Sequence, residues 1–354
     1  MATYDHYTTP VPPGTWDVPA AGATRFSWEY DDGRSRLLDL YQRGKDKQWD
    51  AAKRIDWDLP VNPCNVMEQS DELSHHLSAW LFSQFLHGEQ GALTVAARIV
   101  ESVPDMDSKF YAATQAMDEA RHVELYARFM REKIGLYYPV NPDLAKLLAD
   151  ALSDSRWDMP YLGMQVLIEG LALAAFGVHR DLSNNDLVTQ LLAYVMQDEA
   201  RHVAFGRLAL RDYYKELTDA ERADREEFIV EGCYLMRNRF TGREVWERMG
   251  FDVEECVAFT DQSPVQQAFR TLLFSRIVPC VRDIGLWGPK VQHAYADLGV
   301  IEAADTDLEL LMRGDEELAE KIDEQKYAAE VAARQAEVDE AIELADSEPI
   351  AAGG

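Results

Sequence analysis

One hexapeptide, Asp-Glu-Ala-Arg-His-Val, occurs twice in this chain, at 118–123 and again at 198–203. Each copy holds a Glu and a His three residues apart, Glu119 with His122 and Glu199 with His202. Thirty residues before each copy's Glu stands another, Glu89 and Glu169, so the two sets are offset by 80 residues throughout. On a helix, positions i and i+3 share a face, so each Glu-x-x-His pair can point into one interior. The surroundings are apolar: Phe110, Tyr111, Met117, Val123, Leu125 and Phe129 flank the first pair, and Leu191, Leu192, Val195, Met196, Val203 and Phe205 the second. Glu169 lies within Tyr161–Phe176, a stretch too apolar for a surface helix. A buried carboxylate is costly unless it is paired or bound to metal. Four carboxylates carry four negative charges, which two divalent ions would cancel.

A Glu from each of two helices, with a Glu-x-x-His from each of two others, is the ligand set of di-metal carboxylate four-helix bundles. On these residues the chain resembles the ferritin-like di-iron carboxylate oxidases and oxygenases. The Asp-Glu-x-Arg-His form is similar to that in hydroxylase subunits of bacterial multicomponent monooxygenases. The length, and the run after the bundle, look more like stand-alone oxygenases of the para-aminobenzoate N-oxygenase type. The motif-level likeness spans about residues 65–215 and continues more weakly to about 300.

The resemblance implies an all-α fold, a ferritin-like four-helix bundle with additional N- and C-terminal helices. It implies two iron ions held by Glu89, Glu119, His122, Glu169, Glu199 and His202. Carboxylate and imidazole ligands suit Fe/Fe, Mn/Fe and Mn/Mn alike. The implied activity is dioxygen activation, with hydroxylation or N-oxygenation of a small, mostly apolar or aromatic organic substrate. Electrons would come from a separate reductase or ferredoxin, and a homodimer is compatible. In the resembling hydroxylases the Asp and Arg of the motif form a layer behind the ligands, which implies that role for Asp118, Asp198, Arg121 and Arg201. Other readings stay open: an oxidase like the small subunit of ribonucleotide reductase, bearing a radical or a ligand; a ferroxidase or peroxide scavenger; and a scaffold subunit without catalysis.

Residues around the ligands bear on the reaction. Several related families place a Thr one turn after the third Glu, where this chain has Ala172 and Leu173. The N-oxygenases add a third His one turn before the last Glu, where it has Val195. Tyr126, four residues after His122 on the same face, is the candidate catalytic residue: reductase small subunits carry their radical Tyr at this place, and a core Tyr bonded to a ligand carboxylate is the competing reading. Gly88, Gly170, Gly206, Ala172 and Ala175 either leave room for substrate or mark close helix packing. Phe82, Phe85, Leu86, Leu173 and Phe176 would make such a pocket apolar.

Hydrophobic residues make up 47% of the 354, enough for a large core. The pattern divides the chain into an N-terminal arm and helix (1–64), a bundle with accessory helices (65–285) and an acidic helical tail (286–354). Helices are expected at about 35–55, 66–102, 106–134, 158–182, 185–216, 219–248 and 263–284, with Pro279 bending the last. Cys64, Cys233, Cys256 and Cys280 are scattered, which speaks against a zinc knuckle or disulfide framework. The net charge of −28 speaks against nucleic acid. Residues 301–354 hold 17 acidic and 4 basic side chains, and read as a solvated helix with a frayed end or as a docking element. Neither a secretion signal nor an uninterrupted membrane-length apolar run is evident, so a cytoplasmic location, off the membrane, is the expectation.

Overall fold

The computed structural model describes residues 35–61 and 72–347, the side chains of 337–347 excepted. The expected N-terminal arm, residues 62–71 and the chain's last residues, 348–354, lie outside them. The described chain is helical. Its elements are α1 (Ser35–Asp46), α2 (Ala51–Arg54), α3 (Glu72–Ser102), α4 (Met106–Phe129), α5 (Pro142–Ser153), α6 (Asp158–Tyr161), α7 (Glu169–Leu182) and α8 (Asp186–Tyr213). Then follow α9 (Asp219–Asn238), α10 (Arg243–Met249), α11 (Val253–Gln262), α12 (Pro264–Phe274), α13 (Ile277–Asp283), α14 (Pro289–Asp297) and α15 (Leu308–Ser347).

The four-helix bundle is α3, α4, α7 and α8. Helix α3 packs along α4, α7 along α8, and α4 faces α8. Local chemistry sets their starts. Asp105 caps α4 by accepting from Ser108 N–H at 2.8 Å, and Asn185 caps α8 by accepting from Val188 N–H at 3.1 Å. Thr218 and Glu221 close a reciprocal capping box on α9.

Two helices widen where the expectation was regular. Helix α4 runs on through a π-helical turn, Met130–Ile134, closed by Gly135 in the left-handed conformation at φ 69°. Between α6 and α7 the chain is π-helical over Leu162–Ile168, and the Glu169 N–H bonds back to Met164 C=O. Such insertions re-aim the residue that follows and recur at functional sites. Here the residue that follows is Glu169.

Other boundaries also differ. Helix α5 was not expected; Asn141 caps it and Pro142 occupies its first turn. The expected 219–248 helix breaks at Gly242, whose φ of 67° an L side chain rarely adopts. The expected 263–284 helix breaks at Ser275 and Arg276, not at Pro279, which sits in the first turn of α13, where its missing N–H costs nothing. The 35–55 helix is interrupted between α1 and α2, and Asp50 caps the second piece. The helical stretch Asp158–Leu182 is long and apolar enough to cross a membrane, but 83% of its apolar window is buried inside the protein.

The acidic tail is docked over its first half. Asp315, Glu316 and Ala319 of α15 are buried, and the helix lies along α8. Arg43 pairs with Glu316, Arg276 with Asp315, Arg207 with Glu309, and Tyr194 donates to Asp323 at 2.6 Å. From Tyr327 to Ala336 the side chains are exposed.

Candidate metal centre

Each bundle helix contributes to one buried cluster. Helix α3 brings Glu89, α4 brings Glu119 and His122, α7 brings Glu169, and α8 brings Glu199 and His202. All six are at most 5% exposed. His122 Nδ1 lies 3.3 Å from Glu89, 3.4 Å from Glu119 and 3.1 Å from Glu199. His202 Nδ1 lies 3.1 Å from Glu119 and 3.6 Å from Glu199. The donor atoms fall into two groups, each within 4.8 Å: Glu89, Glu119, His122 and Glu199, and Glu119, Glu169 and His202. Glu119 belongs to both.

Five polar atoms of this cluster are left unsatisfied by the protein. Glu119 Oε2, Glu169 Oε2, both oxygens of Glu199 and His202 Nδ1 have no hydrogen-bond partner among the described residues. Buried anions left in this way are strongly unfavourable unless cations complete them. The donor set therefore fits a pair of divalent ions, with oxygen and imidazole ligands at one open, low-dielectric site.

Behind the ligands the two hexapeptides cross over. His122 Nε2 is 3.1 Å from Asp198 on the facing helix, and His202 Nε2 is 3.3 Å from Asp118. Each imidazole thus has a carboxylate on its outer nitrogen and turns its inner nitrogen to the cluster. Arg121 donates to Asp118 at 2.6 Å and to Asp198 at 2.7 Å, and the fully buried Arg201 pairs with Asp198. Two acids and two guanidiniums cancel, so the layer is neutral and leaves the four glutamates to the centre.

Electrostatics follow from this crowding. Burial, with the charges of neighbouring glutamates, pushes the Glu89 and Glu169 carboxyls well above their usual range. Glu119 is equally buried, yet the two imidazoles beside it outweigh burial and hold it low. Burial disfavours charge on His122 and His202, but the surrounding acids win and raise both. Without metal, protons and imidazolium charge stand in for the missing cations.

Sequence reasoning missed several supporting residues. Gln115, fully buried, donates to Glu119 at 3.0 Å and Glu169 at 2.9 Å, and accepts from Gln165 at 3.1 Å. It stands one turn before Glu119, as Val195 does before Glu199, so the 80-residue offset exposes this asymmetry directly. Trp49 donates to Asp198 at 2.8 Å, and Gln48 to Asp118 at 2.8 Å. Nothing local in the sequence ties that remote segment to the motif. Met117 was grouped with the apolar flank, but its side chain is 63% exposed.

Tyr126 is fully buried among Phe82, Phe85 and Phe176, with ring centroids 6.0–6.2 Å away. Its hydroxyl has no partner among the described residues, so the expected bond to a ligand carboxylate is not made. Burial, with the nearby charges of Glu89 and Glu199, holds its pKa well above 10.

The small residues divide. A Cβ on Gly206 would fall 2.5 Å from Gln165 Cβ, so Gly206 is there for close packing. A Cβ on Gly88 would meet nothing, and Gly88 lines a cavity with Phe85, Glu89, Ala92, Ala172, Phe176, Glu199 and Arg239. That cavity, about 20 Å³, has room for roughly one water. Beyond Phe85 and His179 lies an apolar groove of about 580 Å³, walled by Trp80, Phe240, Trp246 and Phe269 among others.

Residues 92–285 match the family model of the p-aminobenzoate N-oxygenase AurF. Among solved structures, a variant of an R2-like ligand-binding oxidase with an anaerobically reconstituted Mn/Fe cofactor superposes with TM-score 0.52 at 16% identity. The match covers 73% of this chain and 96% of that one. A second variant of that oxidase, also with Mn/Fe, gives TM-score 0.51 at 16% identity over the same shares. No curated protein matches the chain.

Proposed function

The chain belongs to the family of the p-aminobenzoate N-oxygenase AurF, and from that premise we propose how its residues serve a dioxygen-using di-metal oxidoreductase. One ion would be held by Glu89, Glu119, His122 and Glu199, the other by Glu119, Glu169 and His202. The observation that carries this assignment is the set of buried carboxylate oxygens without partners on α4, α7 and α8, converging with Glu89 of α3 and the two imidazoles. When bound, the metal pair supplies the reduction of dioxygen.

The protein's part is positioning and exclusion. Asp198 and Asp118 accept the outer N–H of each imidazole and so aim its inner lone pair. Gln115 fixes Glu119 and Glu169 through its two amide hydrogens. Phe85, Phe176 and Tyr126 wall the centre from water on the side of the cavity, which raises the strength of every charge inside. Tyr126 is a positioning and shielding residue in this reading, not a radical carrier.

We take the substrate as a small aromatic or apolar organic molecule undergoing N-oxygenation or hydroxylation, with electrons from a separate reductase or ferredoxin and iron in both positions. A cytoplasmic location accords with this. Anaerobic loading with ferrous iron should give about two ions per chain, and rapid mixing with dioxygen should consume it faster than free ferrous iron does. Iron below about one ion per chain would overturn the ligand assignment.

A further inference from the structure

The two metal positions are built unequally. Glu89, Glu119, His122 and Glu199 meet at one, and Glu119, Glu169 and His202 at the other, so the first has four donors and the second three. Setting aside Glu119, which is common to both, leaves three donors against two. The carboxylates differ in the same sense. Neither oxygen of Glu199 has a hydrogen-bond partner among the described residues, whereas Glu169 keeps only Oε2 unpartnered. The imidazoles do not distinguish the positions, since each has an aspartate on its outer nitrogen. Affinity for a divalent ion rises with the number and charge of its ligands and with the rigidity of their site.

One buried amide acts on the three-donor position. Gln115 of α4 donates to Glu119 at 3.0 Å and, across the bundle, to Glu169 of α7 at 2.9 Å. Its carbonyl accepts from Gln165 at 3.1 Å, which turns both amide hydrogens towards the glutamates. Gln115 has no exposed surface, and Gln165 belongs to the π-helical stretch that leads into Glu169. The amide therefore clips together the two carboxylates of the three-donor position, against the repulsion of like charges at close range. Under the 80-residue offset the counterpart of Gln115 is Val195, which has no amide to offer Glu199.

We propose that the two positions fill in order, the four-donor position first, and that Gln115 is the positioning residue on which the second ion depends. The inference rests on the di-metal reading above and adds an order of assembly to it. The reaction needs the pair, so occupancy of the three-donor position sets how much protein is active when metal is scarce. With its carbonyl engaged by Gln165, Gln115 acts on the ion only through Glu119 and Glu169.

The test is a titration of metal-free protein with cobalt(II) under nitrogen, followed by calorimetry and by the visible absorption of the bound cobalt. Wild type should take up two ions in two steps, the second at least about tenfold weaker than the first. Glu169→Gln should weaken the second step and Glu89→Gln the first, which assigns each step to its position. Gln115→Leu should weaken the second step by about 10–100-fold, the cost of losing a residue that orients a ligand, and leave the first within about threefold of wild type. Gln115→Met, which keeps the length of the side chain, repeats the comparison if the leucine variant does not fold. Two ions bound with equal affinity by wild type, or uptake that stops at one, would overturn the proposal. So would a Gln115→Leu protein with both steps unchanged, or with both weakened alike as a merely structural role would have it. A wild type that binds no cobalt at all would sink the di-metal reading itself, and this proposal with it.

Discussion

Asp198 is the residue on which most of the site's geometry converges. It accepts from Trp49, Arg121, Arg201 and the outer nitrogen of His122, and it is fully buried. Removing its charge strands Arg201, itself without exposed surface. Asp198→Asn should therefore destabilise the iron-free protein by about 3–5 kcal/mol, the cost of breaking a buried pair from one side. Asp118→Asn should cost less, because Arg121 keeps Asp198. Urea unfolding of both variants checks the order, and equal losses would contradict the hub role. His179 provides a pH readout away from the ligands. It lies between Phe85 and Phe269, and burial pushes its pKa down to about 4 from 6.5. Between those values the unfolded chain binds a proton that the folded chain does not, so stability falls as pH drops from about 6.5 to about 4. The loss from this group is at most about 3 kcal/mol. His179→Phe should flatten that part of the stability profile, measured as unfolding midpoint at pH 7 and pH 5.

At the scale of elements, the π-helical stretch Leu162–Ile168 and Gly206 depend on each other. Gln165 projects from that stretch against Gly206 on α8, and it also holds Gln115 beside the ligands. Gly206→Ala would drive a methyl into Gln165 Cβ, which cannot yield without moving backbone. A loss of about 1–3 kcal/mol is expected, with weaker iron binding, as for other overpacked cores. Gly88→Ala, whose methyl meets open space, should leave stability within about 0.5 kcal/mol of wild type. Calorimetric melting of the two variants separates packing from spare room, and a Gly206→Ala protein as stable as wild type would refute the coupling. The same pair shows what could be read from the chain. A carboxylate thirty residues before each hexapeptide and the apolar runs around it are local patterns, and the six residues they single out do meet in space. The π-helical insertion has no local signature, because one widened turn costs little and is selected by what Glu169 and Gln165 touch. The break at Ser275 was likewise hidden: apolar spacing continues across it, from Leu273 and Phe274 to Ile277 and Val278, and only tertiary packing decides that the chain turns. Trp49 was invisible for a stronger reason. Its partner Asp198 lies in a helix far away in sequence, and a lone Trp carries no pattern.

For the whole molecule, the centre is a reservoir of unfavourable charge that metal binding discharges. Four glutamates from four helices share one interior, and Glu89 and Glu169 are pushed up by burial and by the charges of Glu199 and Glu119. The bundle alone brings these groups together; in the unfolded chain each is solvated and separate. Divalent ions therefore bind the folded state in preference to the unfolded one, and each bound ion adds RT ln(1 + [L]/Kd), about 2.7 kcal/mol at a hundredfold excess over Kd. The melting temperature of iron-free protein should rise by several degrees on anaerobic addition of ferrous iron, and the rise should continue with the logarithm of free iron. Glu119→Ala should blunt it most, because Glu119 is common to both donor groups, whereas Glu89→Ala removes a donor from one group only. Glu169→Ala supplies the control: burial pushes its carboxyl up, so without iron that variant's own melting temperature should change little or increase while its gain from iron falls. That opposite movement, iron-free stability kept and iron-dependent stability lost, separates a metal-ligand role from a structural one. A Glu119→Ala protein that gains as many degrees from iron as wild type would show that the metal sits elsewhere.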